Sequence, residues 1–291
     1  MIHECGAMLA HGAVCSIGDH LHPTGAVEAS TMAVIGAAYK WVAEREAWAA
    51  GSVNRAEIAL LSAEAAGSIG LVGIPGQFDH RFDGRDHGAA RVLLEGQFAF
   101  DVIDLDSDLA GYRLLILPDV IEVTPVLKAR IEAFVAQAGR VLLTGRSAIG
   151  AEGFVFDLGA DWHSTSSMTG GNYLLPDPDW QAEGVSDPLF MYLPSEQITL
   201  TDGQSLGVVH DPYFDRTPRH FSGHVNAPSQ PEPNGLARGV AKGGFTYAAH
   251  PLFTCYHMVR AVAMLEHGEK LISMALGRRN QLATSFRLAV R

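Results

Sequence analysis

Four short apolar runs decide the fold: Ile58-Ala-Leu-Leu61, Phe100-Asp-Val-Ile103, Leu114-Leu-Ile-Leu117 and Val141-Leu-Leu-Thr144. Val, Ile and Leu recur across them, and short runs of this kind are typical of strands that are buried on both faces of a parallel sheet. The sequence therefore predicts a parallel sheet, covered by helices, between residues 58 and 145.

The segments between the runs have helical patterns. Asp86 to Gly96 carries alanine and leucine toward one side and ends on a glycine. Pro125 to Ala138 is the clearer helix, for which Thr124 is the predicted cap and Gly139 the predicted left-handed stop. Because strand and helix alternate, the predicted fold class is α/β, with a doubly wound, mostly parallel sheet of flavodoxin-like or Rossmann type.

Sheets of this type bind ligands at the carboxyl ends of their strands. The fourth run ends in Thr144-Gly145-Arg146-Ser147, which lacks the cysteine of an amidotransferase elbow and the second glycine of a G-x-S-x-G elbow. No G-x-G-x-x-G follows the first run, and the phosphate-binding P-loop motif is absent from the sequence. The sequence therefore does not support nucleotide binding, and we assign no catalytic residue and no cofactor.

Composition narrows the class of protein. The 291-residue chain is long enough for one large or two medium domains, and its formal net charge of -11 argues against nucleic acid or an anionic membrane as a partner. No uncharged apolar run reaches the ~18 residues that a membrane span needs. Cys5, Cys15 and Cys255 form an odd, widely spaced set, and no signal peptide is visible, so we expect reduced thiols and a cytoplasmic protein.

Near its amino terminus the chain has a predicted strand at Gly12 to Ile17, a polar loop and a predicted helix at Glu28 to Trp48. The loop places Asp19, His20 and His22 close together in sequence. These side chains suit a substrate-facing loop, whereas the alternative is a capped turn whose polar groups bind the backbone. Spacing alone favours the capped turn.

The most polar segment runs from His210 to His224. Its candidate substrate-binding residues are Asp211, Tyr213, Arg216, His220 and His224. Together these side chains suit a hydroxyl-rich ligand, which offers hydrogen-bonding edges and flat apolar faces. A metal site at His220 and His224 is disfavoured because prolines interrupt the segment, and we assign no metal ligand. The structural alternative is an Arg–Asp ion-pair network that braces a long loop.

Several further elements are predicted. The connection from Gly67 to Arg85 is long enough for a functional loop, although a solvated surface loop fits it equally well. Pro251 to Leu276 is a predicted helix with a break at Gly268. Short strands are predicted at Leu189 to Tyr192, Ile198 to Leu200, Leu206 to Val209, Phe245 to Ala248 and Gln281 to Arg291.

Two sets of segments resemble known proteins. Tyr112-Arg-Leu-Leu-Ile-Leu-Pro118, the helix end Phe134-Val-Ala-Gln-Ala-Gly139 and Arg140-Val-Leu-Leu-Thr-Gly145 resemble the trimerisation domain of family 42 β-galactosidases. That domain is a non-catalytic relative of the class I glutamine amidotransferase fold. The other set is similar to α-L-fucosidase-like and β-galactosidase-like glycoside hydrolases: Gly18 to Gly25, Pro212 to Arg216, His220-Phe221 and Ala249 to Phe253.

The resemblance implies a division of the chain. Residues 1–52 resemble the last strand and helix of a (β/α)8 barrel, residues 53–280 an amidotransferase-like α/β domain, and residues 281–291 the start of a truncated β-domain. The barrel strands that carry the two carboxylates of glycoside hydrolysis have no counterpart in this sequence. The resemblance thus implies a non-catalytic oligomerisation and substrate-loop domain of a β-galactosidase-like or α-L-fucosidase-like hydrolase, inactive alone and forming a dimer or trimer.

Two other functions stay open: a free-standing amidotransferase-like hydrolase without the cysteine nucleophile, and a non-enzymatic sugar-binding protein. In each glycosidase-related interpretation the expected ligand is a carbohydrate. The resemblance places Asp19 at the catalytic face of a barrel, and the Asp211 to His224 segment leaves a strand of the α/β domain. We therefore expect the two polar loops to share one cleft, where Arg216 and Arg219 would offset Asp19 or Asp211.

Overall fold

The computed structural model describes residues 1–67, 84–183, 185–221, 223–224 and 226–277. The chain divides into two compact units, Met1–Arg55 and Ala56–Arg291. The strand predicted at Gln281 to Arg291 and most of the Gly67 to Arg85 connection lie outside the described residues.

The first unit consists of two helices, α1 (Ile2–Ala10) and α2 (Ala29–Ala49). The strand predicted at Gly12 to Ile17 is wrong, because this segment is irregular. A strand needs a neighbour with which to exchange backbone hydrogen bonds, and residues 1–55 provide none. The sequence pattern also gave no indication of α1.

The described part of the second unit contains fourteen strands and four α-helices. The helices are α3 (Gly84–Glu95), α4 (Pro125–Ala136), α5 (Leu252–Val259) and α6 (Val262–Leu276). The strands, in chain order, are β1 (Ile58–Leu61), β2 (Phe100–Ile103), β3 (Leu114–Leu117), β4 (Arg140–Thr144), β5 (Ile149–Gly150), β6 (Gly153–Phe154), β7 (Ala160–Thr165), β8 (Asn172–Pro176), β9 (Leu189–Met191), β10 (Glu196–Leu200), β11 (Gln204–Ser205), β12 (Gly207–His210), β13 (Gly239–Lys242) and β14 (Phe245–Ala248).

A seven-stranded sheet forms the centre of this unit, with the order β11-β13-β14-β4-β3-β1-β2. The strands from β14 to β2 in that order run parallel. At the other edge β13 pairs antiparallel with β14, and β11 pairs antiparallel with β13. The predicted α/β fold class with a mostly parallel sheet is therefore confirmed. Smaller antiparallel sheets pair β7 with β10, β5 with β6, and β8 with β9 and β12.

Three of the four apolar runs, those in β1, β3 and β4, are buried on both faces as predicted. The prediction is wrong for β2, which lies at the edge of the sheet and leaves Val102 57% exposed. Leu60 and Ile116 belong to one core cluster, which Val92 of α3 and Phe253 of α5 also join. Their neighbours along each strand belong to the other cluster, which includes Ile131 of α4. This alternation follows from the two-residue period of a strand and explains why the runs are apolar without a break.

The start of α4 is predicted correctly, whereas its predicted end needs correction. Thr124 caps α4 as predicted, since its hydroxyl accepts from the Leu127 N–H at 3.3 Å. The left-handed residue that follows is Ala138 (φ 66), not Gly139. Gly139 is required for space instead, because a Cβ there would lie 2.6 Å from the Phe134 ring.

The predicted break at Gly268 is also wrong. The chain interrupts its last helical region at Arg260, which has a φ of 54°, and Gly268 lies inside α6. A Cβ on Gly268 would lie 3.1 Å from a methyl group of Val92, so this glycine allows α6 to pack closely on α3. Among the described residues, none of the helices is both long and apolar enough for a bilayer crossing.

Candidate functional site

The first predicted site loop is a locally capped turn. The Asp19 carboxylate accepts from the His20 backbone N–H at 2.9 Å. His22 Nδ1 lies 2.9 Å from Thr24 Oγ1 and accepts from the Thr24 N–H at 3.3 Å. Asp19, His20 and His22 are all exposed. These contacts account for Asp19 and His22 as turn-forming residues, and a role in substrate binding stays a prediction.

The second predicted site loop, residues 211–224, is closed at its base by backbone pairs. The Gln230 N–H donates to the Asp211 carbonyl at 2.9 Å, and the Tyr213 N–H donates to the Pro228 carbonyl at 3.0 Å. His210 is 4% exposed, with its Nδ1 3.1 Å from the Gln230 carbonyl. The other ring nitrogen of His210 and Oδ1 of Asp211 are buried without a hydrogen-bond partner among the described residues. Such atoms are uncommon in proteins, so the base of this loop is a candidate contact for a ligand hydroxyl group.

Asp215, which the sequence analysis did not select, anchors the same loop. One carboxylate oxygen accepts from the N–H of Thr169 at 3.1 Å and from its hydroxyl at 2.7 Å, and the other accepts from the Gly170 N–H at 3.0 Å. The hydrogen bond from the Thr169 hydroxyl is the main cause of a lowered pKa at Asp215. The partner lies 46 residues away in sequence, and no local pattern signals such a contact.

The tip of the loop presents aromatic and basic groups to solvent. Tyr213 is 61% exposed, and Arg216, His220 and His224 are also exposed. A turn in which His220 and Thr217 exchange backbone hydrogen bonds of 2.7 and 3.1 Å holds this tip. The structure thus brings the predicted side chains together along one loop, and their role in substrate binding stays a prediction.

The structural alternative, an Arg–Asp ion-pair network in this loop, does not form in the part of the chain that the structure describes. Arg216 and Arg219 are exposed, and neither makes an ion pair with a described residue. The Asp215 carboxylate is instead occupied by Thr169 and Gly170, and Oδ1 of Asp211 has no hydrogen-bond partner among the described residues. Because Asp19 lies in the first unit and His220 in the second, the shared cleft stays a prediction.

The carboxyl ends of β3 and β4 hold a buried polar cluster. Asp119 is 1% exposed and has a φ of 55°. Its carboxylate accepts from the Thr144 hydroxyl at 2.6 Å, and from the N–H and the hydroxyl of Thr254, both at 2.7 Å. Burial raises the pKa of Asp119, and the threonine hydrogen bonds act in the opposite direction. The cluster ties both strand ends to α5 and so fills the edge where sheets of this kind bind ligands.

Gly145 occupies the position of the elbow after β4. Its φ is 56°, and a Cβ there would lie 2.8 Å from the Asp119 carbonyl oxygen. The following Arg146 forms an ion pair of 3.5 Å with Glu196, which is 3% exposed and also accepts from the Trp162 indole N–H at 2.7 Å. No side chain can be added at Gly145 without moving the Asp119 backbone, so this elbow has no room for a nucleophile.

The comparisons with known proteins agree with the predicted resemblance. Residues 91–161 match the β-galactosidase trimerisation domain. The search of curated proteins gave no match. The α-L-fucosidase isoenzyme 2 from Paenibacillus thiaminolyticus is 36% identical, with a TM-score of 0.86 over 95% of this chain and 41% of that chain.

Two β-galactosidases share the fold at lower identity. The enzyme from Rahnella sp. R3 is 21% identical, with a TM-score of 0.62 over 95% of this chain and 42% of its own. That from Bacillus circulans sp. alkalophilus is 18% identical, with a TM-score of 0.59 over 85% of this chain and 36% of its own. The chain spans about two fifths of the length of the solved structures it matches. Residues 91–161 therefore match the β-galactosidase trimerisation domain, and the structure of the chain is similar to those of an α-L-fucosidase and of β-galactosidases.

Proposed function

We propose that this chain is the non-catalytic oligomerisation and substrate-loop part of a glycoside hydrolase that acts on β-galactosides or α-L-fucosides. The observation that carries the proposal is the match of residues 91–161 to a trimerisation domain, in a chain 36% identical to an α-L-fucosidase. A trimerisation domain implies homo-oligomerisation, and the proposal extends this to a dimer or trimer whose loops contact carbohydrate.

The exposed apolar surface of the first unit supports assembly. In α2 the only buried residue is Ala38, while Val34 is 57% exposed and Trp48 is 89% exposed. Val14, in the segment before α2, is 90% exposed. Contiguous apolar patches of more than a few hundred Å² are unusual on monomers. We infer that another subunit, or another part of the assembled hydrolase, covers this surface.

The substrate-loop part of the proposal rests on the chemistry of residues 211–224. The tip presents exposed aromatic and basic side chains, and at the base polar atoms of His210 and Asp211 have no hydrogen-bond partner among the residues that the structure describes. Together they suit a ligand that offers both hydroxyl groups and flat C–H faces. The proposal also includes Asp19, His20 and His22 as substrate-binding residues.

The amidotransferase alternative has less support, because a nucleophile at Gly145 would collide with the backbone of Asp119. A sugar-binding protein that works as a monomer remains the second candidate, since it would use the same exposed loop. The oligomeric state distinguishes it from the main proposal.

We expect the purified 291-residue chain to hydrolyse no aryl β-galactoside, no aryl α-L-fucoside and no glutamine. Glycoside hydrolysis needs two carboxylates that flank one bond, and no such pair is assigned in this chain. Release of the aryl group or of ammonia would be followed against a blank preparation. Turnover that a point substitution in this chain abolishes would contradict the proposal, since a contaminating enzyme would not respond to it.

A further inference from the structure

A polar cavity of about 510 Å³ lies at the amino ends of the sheet strands, away from Asp119. Arg140, the first residue of β4, and Phe245, the first residue of β14, line this cavity. A 3-10 turn, Pro178–Trp180, and the end of α6 complete the wall. The volume lies within the roughly 300–1,000 Å³ that is typical of small-molecule sites.

One buried polar group that lines this cavity has no hydrogen-bond partner in the described part of the chain. Trp180 is 5% exposed, and its indole N–H has no hydrogen-bond partner among the described residues. Thr246, which is 7% exposed, and Gln204 add a hydroxyl and an amide to the lining of the cavity. Buried polar groups are nearly always hydrogen-bonded, so the unpartnered indole N–H at this cavity indicates a polar ligand.

The charges at the rim favour a ligand without net charge. Lys242 is already paired with Asp157 at 2.7 Å and Asp202 at 2.8 Å. Arg140 and Asp179, both exposed, form no ion pair with a described residue. The rim therefore has one cation, Arg140, and one anion, Asp179, that form no ion pair with a described residue. A cationic ligand would be repelled by Arg140, and an anionic ligand would be repelled by Asp179.

The mixture of donors and acceptors identifies the class of ligand. Arg140 and the Trp180 indole only donate, Asp179 only accepts, and Gln204 and Thr246 do both. A hydroxyl group donates and accepts at once, so neighbouring hydroxyls on one ring would satisfy such a set. Among the described lining residues, four are apolar and suit the C–H face of that ring: Ala241, Phe245, Met274 and Ala275.

We propose that this cavity binds a neutral, hydroxyl-rich small molecule of mono- or disaccharide size. This inference goes beyond the proposed function, because it uses neither of the two loops to which substrate contact is assigned.

The test is titration of the 291-residue chain with D-galactose, L-fucose and lactose, followed by saturation-transfer NMR and tryptophan fluorescence. We expect one or more of these sugars to bind with a Kd on the order of 1 mM. Asp179→Asn and Trp180→Phe should each weaken binding by about threefold to tenfold, the loss that one hydrogen bond produces. Trp180→Phe keeps an aromatic ring in place, and circular dichroism would verify that each variant is folded.

Two control variants locate the binding. Asp161→Asn removes an exposed carboxylate on β7, outside the cavity, and should leave binding unchanged. His220→Ala changes the tip of the 211–224 loop. The inference is overturned if none of the three sugars binds, or if Asp179→Asn and Trp180→Phe leave the affinity unchanged. Binding that only His220→Ala abolishes would support the proposed substrate loop and overturn the cavity.

Discussion

Replacement of Gly88 by alanine is expected to lower the free energy of unfolding of the α/β unit by about 3 kcal/mol, the upper part of the range for overpacked cores. Gly88 lies in α3, where that helix crosses α5. A Cβ at this position would lie 1.9 Å from the Phe253 carbonyl oxygen and 2.7 Å from its carbonyl carbon. Backbone atoms of a packed helix cannot move aside as a flexible side chain can, so α3 and α5 must separate. This cost exceeds the ~1 kcal/mol that alanine gains over glycine in a helix.

Alanine substitutions at two other glycines serve as controls with smaller expected effects. The stability of each variant is measured by urea unfolding, which circular dichroism monitors. Gly268→Ala places its Cβ 3.1 Å from a Val92 methyl group, which can shift, so we expect a smaller loss. Gly36→Ala lies in α2 with nothing within 4 Å, and we expect no loss or a gain of up to ~1 kcal/mol. An unfolding midpoint for Gly88→Ala equal to that of the parent chain would show that α3 and α5 are not in close contact.

Acidification from about pH 7 to pH 5 is expected to cost about 2–4 kcal/mol of folding stability, through two buried histidines. His250 and His267 are each 1% exposed. Burial lowers the pKa of His250 to about 3 and lowers the pKa of His267 well below its ordinary 6.5, and the nearby Arg238 cation adds to both effects. The contacts agree with neutral rings, since Arg238 donates to His267 Nε2 at 3.1 Å and His250 Nε2 lies 2.7 Å from Asn172 Oδ1.

The sign follows from proton uptake by the unfolded chain. Unfolded imidazoles bind protons below the ordinary pKa of 6.5, whereas the folded protein excludes them down to about 3 at His250. Stability is therefore complete above pH 6.5 and decreases as the pH falls below it, by about 1.4 kcal/mol per pH unit for each histidine. The raised pKa of Asp119 acts in the opposite sense, because its folded form binds the proton more tightly.

A variant with one histidine fewer isolates this contribution. His267→Gln retains a side-chain acceptor for Arg238 but cannot titrate, so the slope of stability against pH between 7 and 5 should fall to about half. The slope is the quantity to compare, because the variant also changes the stability at neutral pH. An unchanged slope would show that the buried histidines do not cause the acid sensitivity.

The sequence was informative about the sheet because each central strand carries its own signal. Ile58 to Leu61 and Leu114 to Leu117 are apolar at every position, as burial on both faces demands. The segment Gly12 to Ile17 also contains the β-branched residues Val14 and Ile17, yet no partner strand is present in its unit. The composition of a segment indicates whether it can form a strand. Whether the strand forms depends on a neighbouring strand with which it can exchange backbone hydrogen bonds.

The site was predictable only where its chemistry lies in one continuous segment. Polarity alone singles out residues 211–224, and the structure presents them on one loop. The partners that fix the loop and the sheet edge come from distant positions, such as Asp215 with Thr169 and Glu196 with Trp162. Residues 46 and 34 positions apart meet only through the fold, so no local pattern predicts them. The lining residues of the cavity, such as Arg140 and Trp180, are also distant in sequence, so no local pattern predicts that cavity.

The central claim is that this chain assembles with copies of itself, and its mass in solution tests that claim most directly. The purified chain has a monomer mass of 31.1 kDa. Light scattering after size-exclusion chromatography, across a wide range of concentrations, should give a mass two or three times that value. A strictly monomeric mass over the whole range would contradict the account.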